Sequence, residues 1–187
     1  TFYVADGYNG TRVAKFDKDG KFMFDFGKEG DPGKETRPSY MNNVHGVAYD
    51  LANNHVYVND RDNHRIQIFD PMGQYISEFK INVTPSSLHF VYIFDDGNPV
   101  VFDRNTHKLV KYTLDGKLIY SWGTIGDFPG TLWGVHGAAT DQEGNLYVAE
   151  VDSGRFQKFR ARQGADPRPL IGKPIYSAWN SGGTSLE

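Results

Sequence analysis

Two histidines of the 187-residue chain, His45 and His136, each open a His-Gly dipeptide. Each ends a polar connector that starts at an aromatic-Gly pair, Phe26-Gly27 or Trp122-Gly123. Imidazole is a favoured zinc ligand, and an open catalytic zinc site commonly has three protein ligands plus water or substrate. Two histidines 91 residues apart are no motif by themselves, however. Their other reading is as repeat residues that cap a strand by hydrogen bonds. Tyr8, in Asp6-Gly7-Tyr8-Asn9-Gly10-Thr11-Arg12, and Arg61, directly after Asp60, add a phenol and a guanidinium. An unperturbed phenol has a pKa of about 10, so a base role needs a cation or metal nearby. A planar guanidinium fork suits a carboxylate. The bland alternatives are an exposed turn aromatic and a surface ion pair.

The elements that must position these residues are clearest in residues 44–79, VHGVAYDLANNHVYVNDRDNHRIQIFDPMGQYISEF. HGVAYD and HVYVND alternate as strands around the turn LANN, RIQIFD is an amphipathic third strand, and PMG turns into QYISEF. Four short strands in roughly 40 residues are the signature of a propeller blade. The pattern recurs around an acidic residue that ends the second strand: VADGYNGTRVAKFD (4–17), VNDRDNHRIQIFD (58–70), VFDRNTHKLVKYT (101–113) and VAEVDSGRFQKFR (148–160). These anchors, Asp6, Asp60, Asp103 and Glu150, lie 54, 43 and 47 residues apart. The fold expected is therefore all-β, a propeller with about four blades over residues 1–160. Residues 161–187, with Pro167, Pro169 and Pro174, are expected to form a tail that packs on or closes the array.

The first copy begins in a second-strand pattern, so its inner strand and further blades are expected ahead of Thr1. Asp17-Lys18-Asp19-Gly20 could open a calcium loop, but the strand KFMFDF that follows favours a hairpin turn with Gly20 at positive φ. Residues 81–103 form an irregular blade without His-Gly, turning at Asp95-Asp96-Gly97-Asn98. His55, His64, His89 and His107 read as solvated or structural, and Arg104 as a repeat of the Arg61 position.

Composition narrows the function. A net charge of −3 with both signs interspersed argues against a nucleic-acid partner. There is no apolar run long enough for a membrane span. The absence of cysteine removes disulfide and thiolate chemistry without fixing a compartment. The sequons at Asn9 and Asn82 carry little weight.

The DRDNHRIQIFDPMGQYISEF type of segment resembles the NHL repeat of six-bladed β-propellers. Within that group the chain is similar to peptidyl-α-hydroxyglycine α-amidating lyase and its bacterial relatives. The resemblance implies a zinc ion, or another divalent transition metal, held by three histidines at the starts of inner strands in alternate blades. His45 and His136 stand at two such positions, and the third would lie before Thr1. It further implies Tyr8 as the catalytic base and Arg61 as the group that receives the substrate carboxylate. Calcium is possible, but the family's ligand after the last histidine is Gly137 here. The activity implied is cleavage of the C–N bond of a peptidyl-α-hydroxyglycine-type carbinolamide to an amide and glyoxylate, in an extracytoplasmic setting. The alternative is a non-catalytic NHL propeller that binds a protein, peptide or glycan on its face. A metal-dependent lactonase or hydrolase is disfavoured, since no Glu/Asp/Asn cluster accompanies His45 and His136.

Overall fold

A computed structural model describes residues 1–31, 34–81, 87–94 and 96–166. The prolines at 167, 169 and 174 with the rest of the expected tail to 187, the Asn82 sequon and Asp95 lie outside the described residues. The first sheet comprises β1 (Phe2–Asp6), β2 (Arg12–Phe16) and β3 (Phe22–Phe26). A connector follows with two short strands, β4 (Lys28–Glu29) and β5 (Tyr40–Met41), paired in parallel. The second sheet is β6 (Val44–Asp50), β7 (His55–Asp60), β8 (Arg65–Phe69) and β9 (Tyr75–Lys80), in that spatial order. The third is β10 (Leu88–Ile93), β11 (Pro99–Asp103), β12 (Lys108–Tyr112) and β13 (Leu118–Trp122), and the last is β14 (Val135–Thr140), β15 (Leu146–Glu150) and β16 (Arg155–Phe159). All pairings within these four sheets are antiparallel between sequence neighbours. Among the described residues no helix is long and apolar enough to cross a membrane.

Each apolar cluster lies between adjacent sheets, as propeller blades require. Because side chains alternate along a strand, β7 sends Val56 and Val58 toward the first blade and Tyr57 toward the third. The first interface is built from Val13, Met41, Val44 and Phe69, and the second from Ile66, Ile68, Leu88, Val101 and Val110. The third joins Phe90, Phe102 and Leu109 to Leu132, Val135 and Val148. A central strand is thus buried on both faces, which is why β7 is rich in β-branched and aromatic residues.

The hairpin turns follow one device. Asp17 Oδ1 accepts from the Asp19 and Lys21 amides, and Gly20 has φ +82°. Asp70 and Asp141 hold the same contacts in their own turns, so the hairpin reading of residues 17–21 is correct.

In the second, third and last blades the acid that ends the second strand ties the blade together. Asp60 accepts from Arg65 Nε (2.7 Å), Gln67 Nε2 (3.0 Å) and Asn63, and its Oδ1 also accepts from the Asn42 amide (2.8 Å). In the last blade Glu150 accepts from Arg155 Nε, Gln157 Nε2 and Ser153 Oγ, each at 2.6 Å. Asp103 accepts from the Ser87 amide at 2.8 Å. Asn42 and Ser87 lie just ahead of β6 and β10, so the acid fixes where an inner strand begins. The polar side of β8 is consequently interior, with Arg65 and Gln67 fully buried and bonded to the Tyr40 carbonyl oxygen at 2.6 and 3.0 Å.

Candidate functional site

Every inner strand that follows an anchored loop starts the same way. Val44, Leu88 and Val135 pair with the acids Asp60, Asp103 and Glu150, and the register then slips by one residue before Gly46, Phe90 and Gly137. The slipped residues are His45, His89 and His136. A bulge adds a residue that the ladder leaves unpaired and so re-aims its side chain. The inner strands β6, β10 and β14 stand side by side, and the three imidazoles meet. Their ring centroids are 4.9 Å (His45–His136), 5.4 Å (His45–His89) and 4.8 Å (His89–His136) apart.

This corrects one expectation. The irregular blade does present a histidine at the start of its inner strand, though Phe90 replaces glycine after it. Counting back from the anchor acid exposes the equivalence, because His89 and His136 each lie 14 residues before theirs and His45 lies 15 before Asp60.

Tyr8 and Arg61 join the same cluster. Tyr8 sits in the turn between β1 and β2 with φ 59°, a left-handed backbone that a tyrosine adopts only when its surroundings impose it. Here its amide donates to Asn43 Oδ1 (3.1 Å), while Asn43 Nδ2 donates to Asp62. The Tyr8 hydroxyl lies 3.1 Å from His45 Nε2, and the Arg61 guanidinium lies over the Tyr8 ring at 5.6 Å. Tyr8 is 69 % exposed, so this side of the cluster is open to a ligand. Sequence reasoning passed over Asn43 and Asp62, whose only signal was proximity to His45 and Arg61.

The hydrogen bonds assign the His45 tautomer. Nδ1 lies 2.7 Å from the His89 carbonyl oxygen, which can only accept, so Nδ1 carries the proton and Nε2 offers its lone pair. The Tyr8 hydroxyl therefore donates to Nε2. Burial lowers the pKa of His45, opposed by the His89 carbonyl and reinforced by Arg61 and His136. His89, only 4 % exposed, is pulled down to about 4 by burial and then by His136 and His45. A neutral imidazole is the form that ligates a metal.

Three imidazoles bound to one zinc at 2.0–2.1 Å with tetrahedral angles have ring centres about 5 Å apart. The observed centroid spacings match that distance, and a Nδ1–H held by a carbonyl is a usual support for a metal-binding histidine. As the side chains stand, no group of three His, Cys, Asp or Glu among the described residues is already set to hold a metal ion. The spacing and donor type fit the group; the ring orientations do not yet. Gly137 offers no side chain to a calcium ion, and a Cβ there would meet open space.

Not every sequence candidate belongs to the cluster. Arg104 instead reaches across to the last blade, with Nη2 2.8 Å from both Asp152 oxygens. His64 and His107 occupy left-handed turn positions with φ 53°; His64 is exposed, as expected, whereas His107 is half-buried with Nδ1 enclosed and unpartnered. His55 opens β7 and is half-buried.

Antiparallel sheets of three or four strands, packed face to face around converging inner strands, define a β-propeller. The NHL repeat family matches residues 41–69, which span β5 to β8. Among curated proteins the chain is similar to peptidyl-glycine alpha-amidating monooxygenase of Mus musculus, 25 % identical over 172 residues that make up 84 % of this chain and 16 % of that protein. It also resembles Protein brain tumor of Drosophila melanogaster, 26 % identical over 121 residues, covering 64 % of this chain and 11 % of the relative. The chain thus spans less than a fifth of either relative. Among solved structures, a catalytically inactive virginiamycin B lyase from Staphylococcus aureus with quinupristin superposes with a TM-score of 0.53 at 18 % identity, over 81 % of this chain and 49 % of that one. That likeness is one of fold.

Proposed function

We propose that this chain carries the active face of a metal-dependent, amidating-lyase-like propeller. The substrate would be a peptidyl-α-hydroxyglycine-type carbinolamide and the products an amide and glyoxylate. The observation that carries the reading is the Tyr8 hydroxyl 3.1 Å from His45 Nε2, with Arg61 against the same ring and His136 against His45. These are the residues that the lyase resemblance singles out, and they come from three different blades. The likeness to an alpha-amidating enzyme of the mouse supports the same reading.

His45 and His136 would hold zinc or another divalent transition metal, His45 through Nε2. A bound metal supplies Lewis-acid polarisation of the substrate hydroxyl oxygen. Arg61 binds the substrate carboxylate and so sets the carbinol carbon beside Tyr8. Tyr8, once ionised, takes the hydroxyl proton; the oxygen's electron pair forms the aldehyde C=O as the C–N bond breaks, and the departing amide nitrogen takes up a proton.

The test is glyoxylate release from a peptidyl-α-hydroxyglycine by the intact protein, with elemental analysis alongside. Near-stoichiometric metal that both His45→Ala and His136→Ala lose, while circular dichroism stays unchanged, supports the reading. No metal after zinc is added back, or no glyoxylate from the metal-loaded protein, refutes it.

A second reading is a binding propeller. The connector to His136 displays Phe128 at 73 % and Ile125 at 59 % exposure, an apolar pair suited to a protein or peptide partner. It needs no metal, so the same elemental analysis separates the two.

A further inference from the structure

We infer that Asn43 is a positioning residue, whose side-chain amide fixes the Tyr8 turn of the first blade relative to the Arg61 loop of the second. Its kinetic consequence rests on the lyase reading above, whereas the bridge itself stands on geometry alone. The lyase resemblance singles out no residue at this position.

Three segments meet at Asn43. The Tyr8 amide, in the turn between β1 and β2, donates to Asn43 Oδ1 at 3.1 Å. Asn43 Nδ2 donates to Asp62 Oδ1 and Oδ2 at 3.2 and 3.3 Å, and Asp62 Oδ1 also accepts from Arg61 Nε at 3.5 Å. A backbone amide can only donate and a carboxylate only accept, so the Asn43 side chain fits in one orientation. The contacts therefore run from the Tyr8 backbone through Asn43 and Asp62 to the Arg61 guanidinium.

The position suits asparagine for two reasons. Asn43 has φ 55°, a left-handed backbone that asparagine adopts more readily than most residues. It also needs an acceptor and a donor on one short side chain, which an ionised aspartate lacks. Asn43 is buried, so these bonds are shielded from water. Its own segment is anchored, because the Asn42 amide donates to Asp60 Oδ1 (2.8 Å) and the Asn42 carbonyl oxygen accepts from the Asp62 amide (3.4 Å). Gly7 meanwhile packs so closely on the Val44 carbonyl that a Cβ there would collide. The turn is thus pressed against an anchored segment and tethered to it by one side chain. That tether holds the Tyr8 ring edge-on to His45, with centroids 5.2 Å apart, and under the Arg61 guanidinium.

The experiment compares Asn43→Gly, which tolerates the left-handed backbone, with Asn43→Asp and the exchange Asn43→Asp/Asp62→Asn, all in the intact protein. Glyoxylate release is resolved into kcat and KM, and the Tyr8 amide and ring are followed by NMR. Asn43→Gly should lower kcat by about 100-fold, the effect of an ångström-scale misplacement, and raise KM as Arg61 loses its orientation. Asn43→Asp keeps the acceptor for Tyr8 but sets two carboxylates together, so KM should rise. The exchange restores a donor opposite an acceptor and should return both parameters to within a few-fold of wild type, a recovery that general damage to the fold does not produce. In the spectra, the wild-type Tyr8 amide should be protected from solvent exchange and its ring should show cross-peaks to the His45 ring, both lost in Asn43→Gly. Unchanged kcat or unchanged cross-peaks in Asn43→Gly, an unprotected wild-type amide, or an exchange variant no better than Asn43→Asp overturns the inference. Should the wild type release no glyoxylate, the lyase reading falls and the spectra alone decide the bridge. Should Asn43→Gly fail to fold, the exchange variant and the wild-type amide decide it.

Discussion

Replacing Arg65 by methionine should be the most damaging polar substitution in the second blade. Arg65 has no exposed side-chain surface, and neither has its partner Asp60. Its Nε donates to Asp60 (2.7 Å), Nη1 to Glu78 (2.8 Å) and Nη2 to the carbonyl oxygens of Arg37 (3.2 Å) and Tyr40 (2.6 Å). Methionine matches much of the volume but none of the donors. Asp60 would then stay buried as a charge without its cation, a situation that costs about 3–5 kcal/mol. With a urea m-value of about 2 kcal/mol per molar, the unfolding midpoint should fall by about 1.5–2.5 M. Replacing Asp60 by leucine as well should not restore stability. Its carboxylate also accepts from the Asn42 amide and from Asn63, which would be orphaned. The loss should reach the site, because the Asn42 bond holds the segment that delivers Asn43 and His45. Paired urea titrations of the wild type, Arg65→Met and the double variant form the assay. A midpoint shift below about 0.5 M for Arg65→Met, or recovery in the double variant, would refute the view of this acid–arginine pair as the tie that starts the inner strand.

Gly7→Ala would drive a Cβ into the Val44 carbonyl oxygen, so the turn that carries Tyr8 must move away from His45. Turnover should fall by an order of magnitude or more while zinc affinity stays within a few-fold, as measured by steady-state kinetics and chelator competition. Tyr8→Phe should abolish turnover yet bind zinc slightly more tightly, by about 0.5–1.5 kcal/mol, since the phenol no longer competes for His45 Nε2. Glu35 is held well below its ordinary value of 4.5, first by the side-chain bond to Arg37. With the folded value below the unfolded one, its stabilisation is complete above about pH 4.5 and is lost as the pH falls further. Glu35→Gln should therefore flatten part of the acid-side decline in thermal midpoint between pH 5 and 3 and lower the midpoint at pH 7.

The repeat and its strands were legible in the sequence because they rest on local rules. Period-two alternation, β-branched residues and Asp-led turns specify strands and hairpins without knowledge of neighbours, and the second blade appears where residues 44–79 predict it. The acidic anchors were visible as spacing, but their role was not. Only the folded chain shows that Asp60 and Glu150 bind an arginine five residues on and a glutamine seven residues on, burying what looked like the polar side of an amphipathic strand.

The site divides in the same way. Residue type and family likeness picked out Tyr8, His45, Arg61 and His136 from the sequence alone. Their meeting at one point was decided by blades packing side by side, since ring distances depend on contacts across 37 to 91 residues of chain. His89 was read as structural because a Phe follows it where the other two have Gly, and its register depends on a bulge. A bulge is a property of two paired strands, and neither strand's sequence encodes it independently.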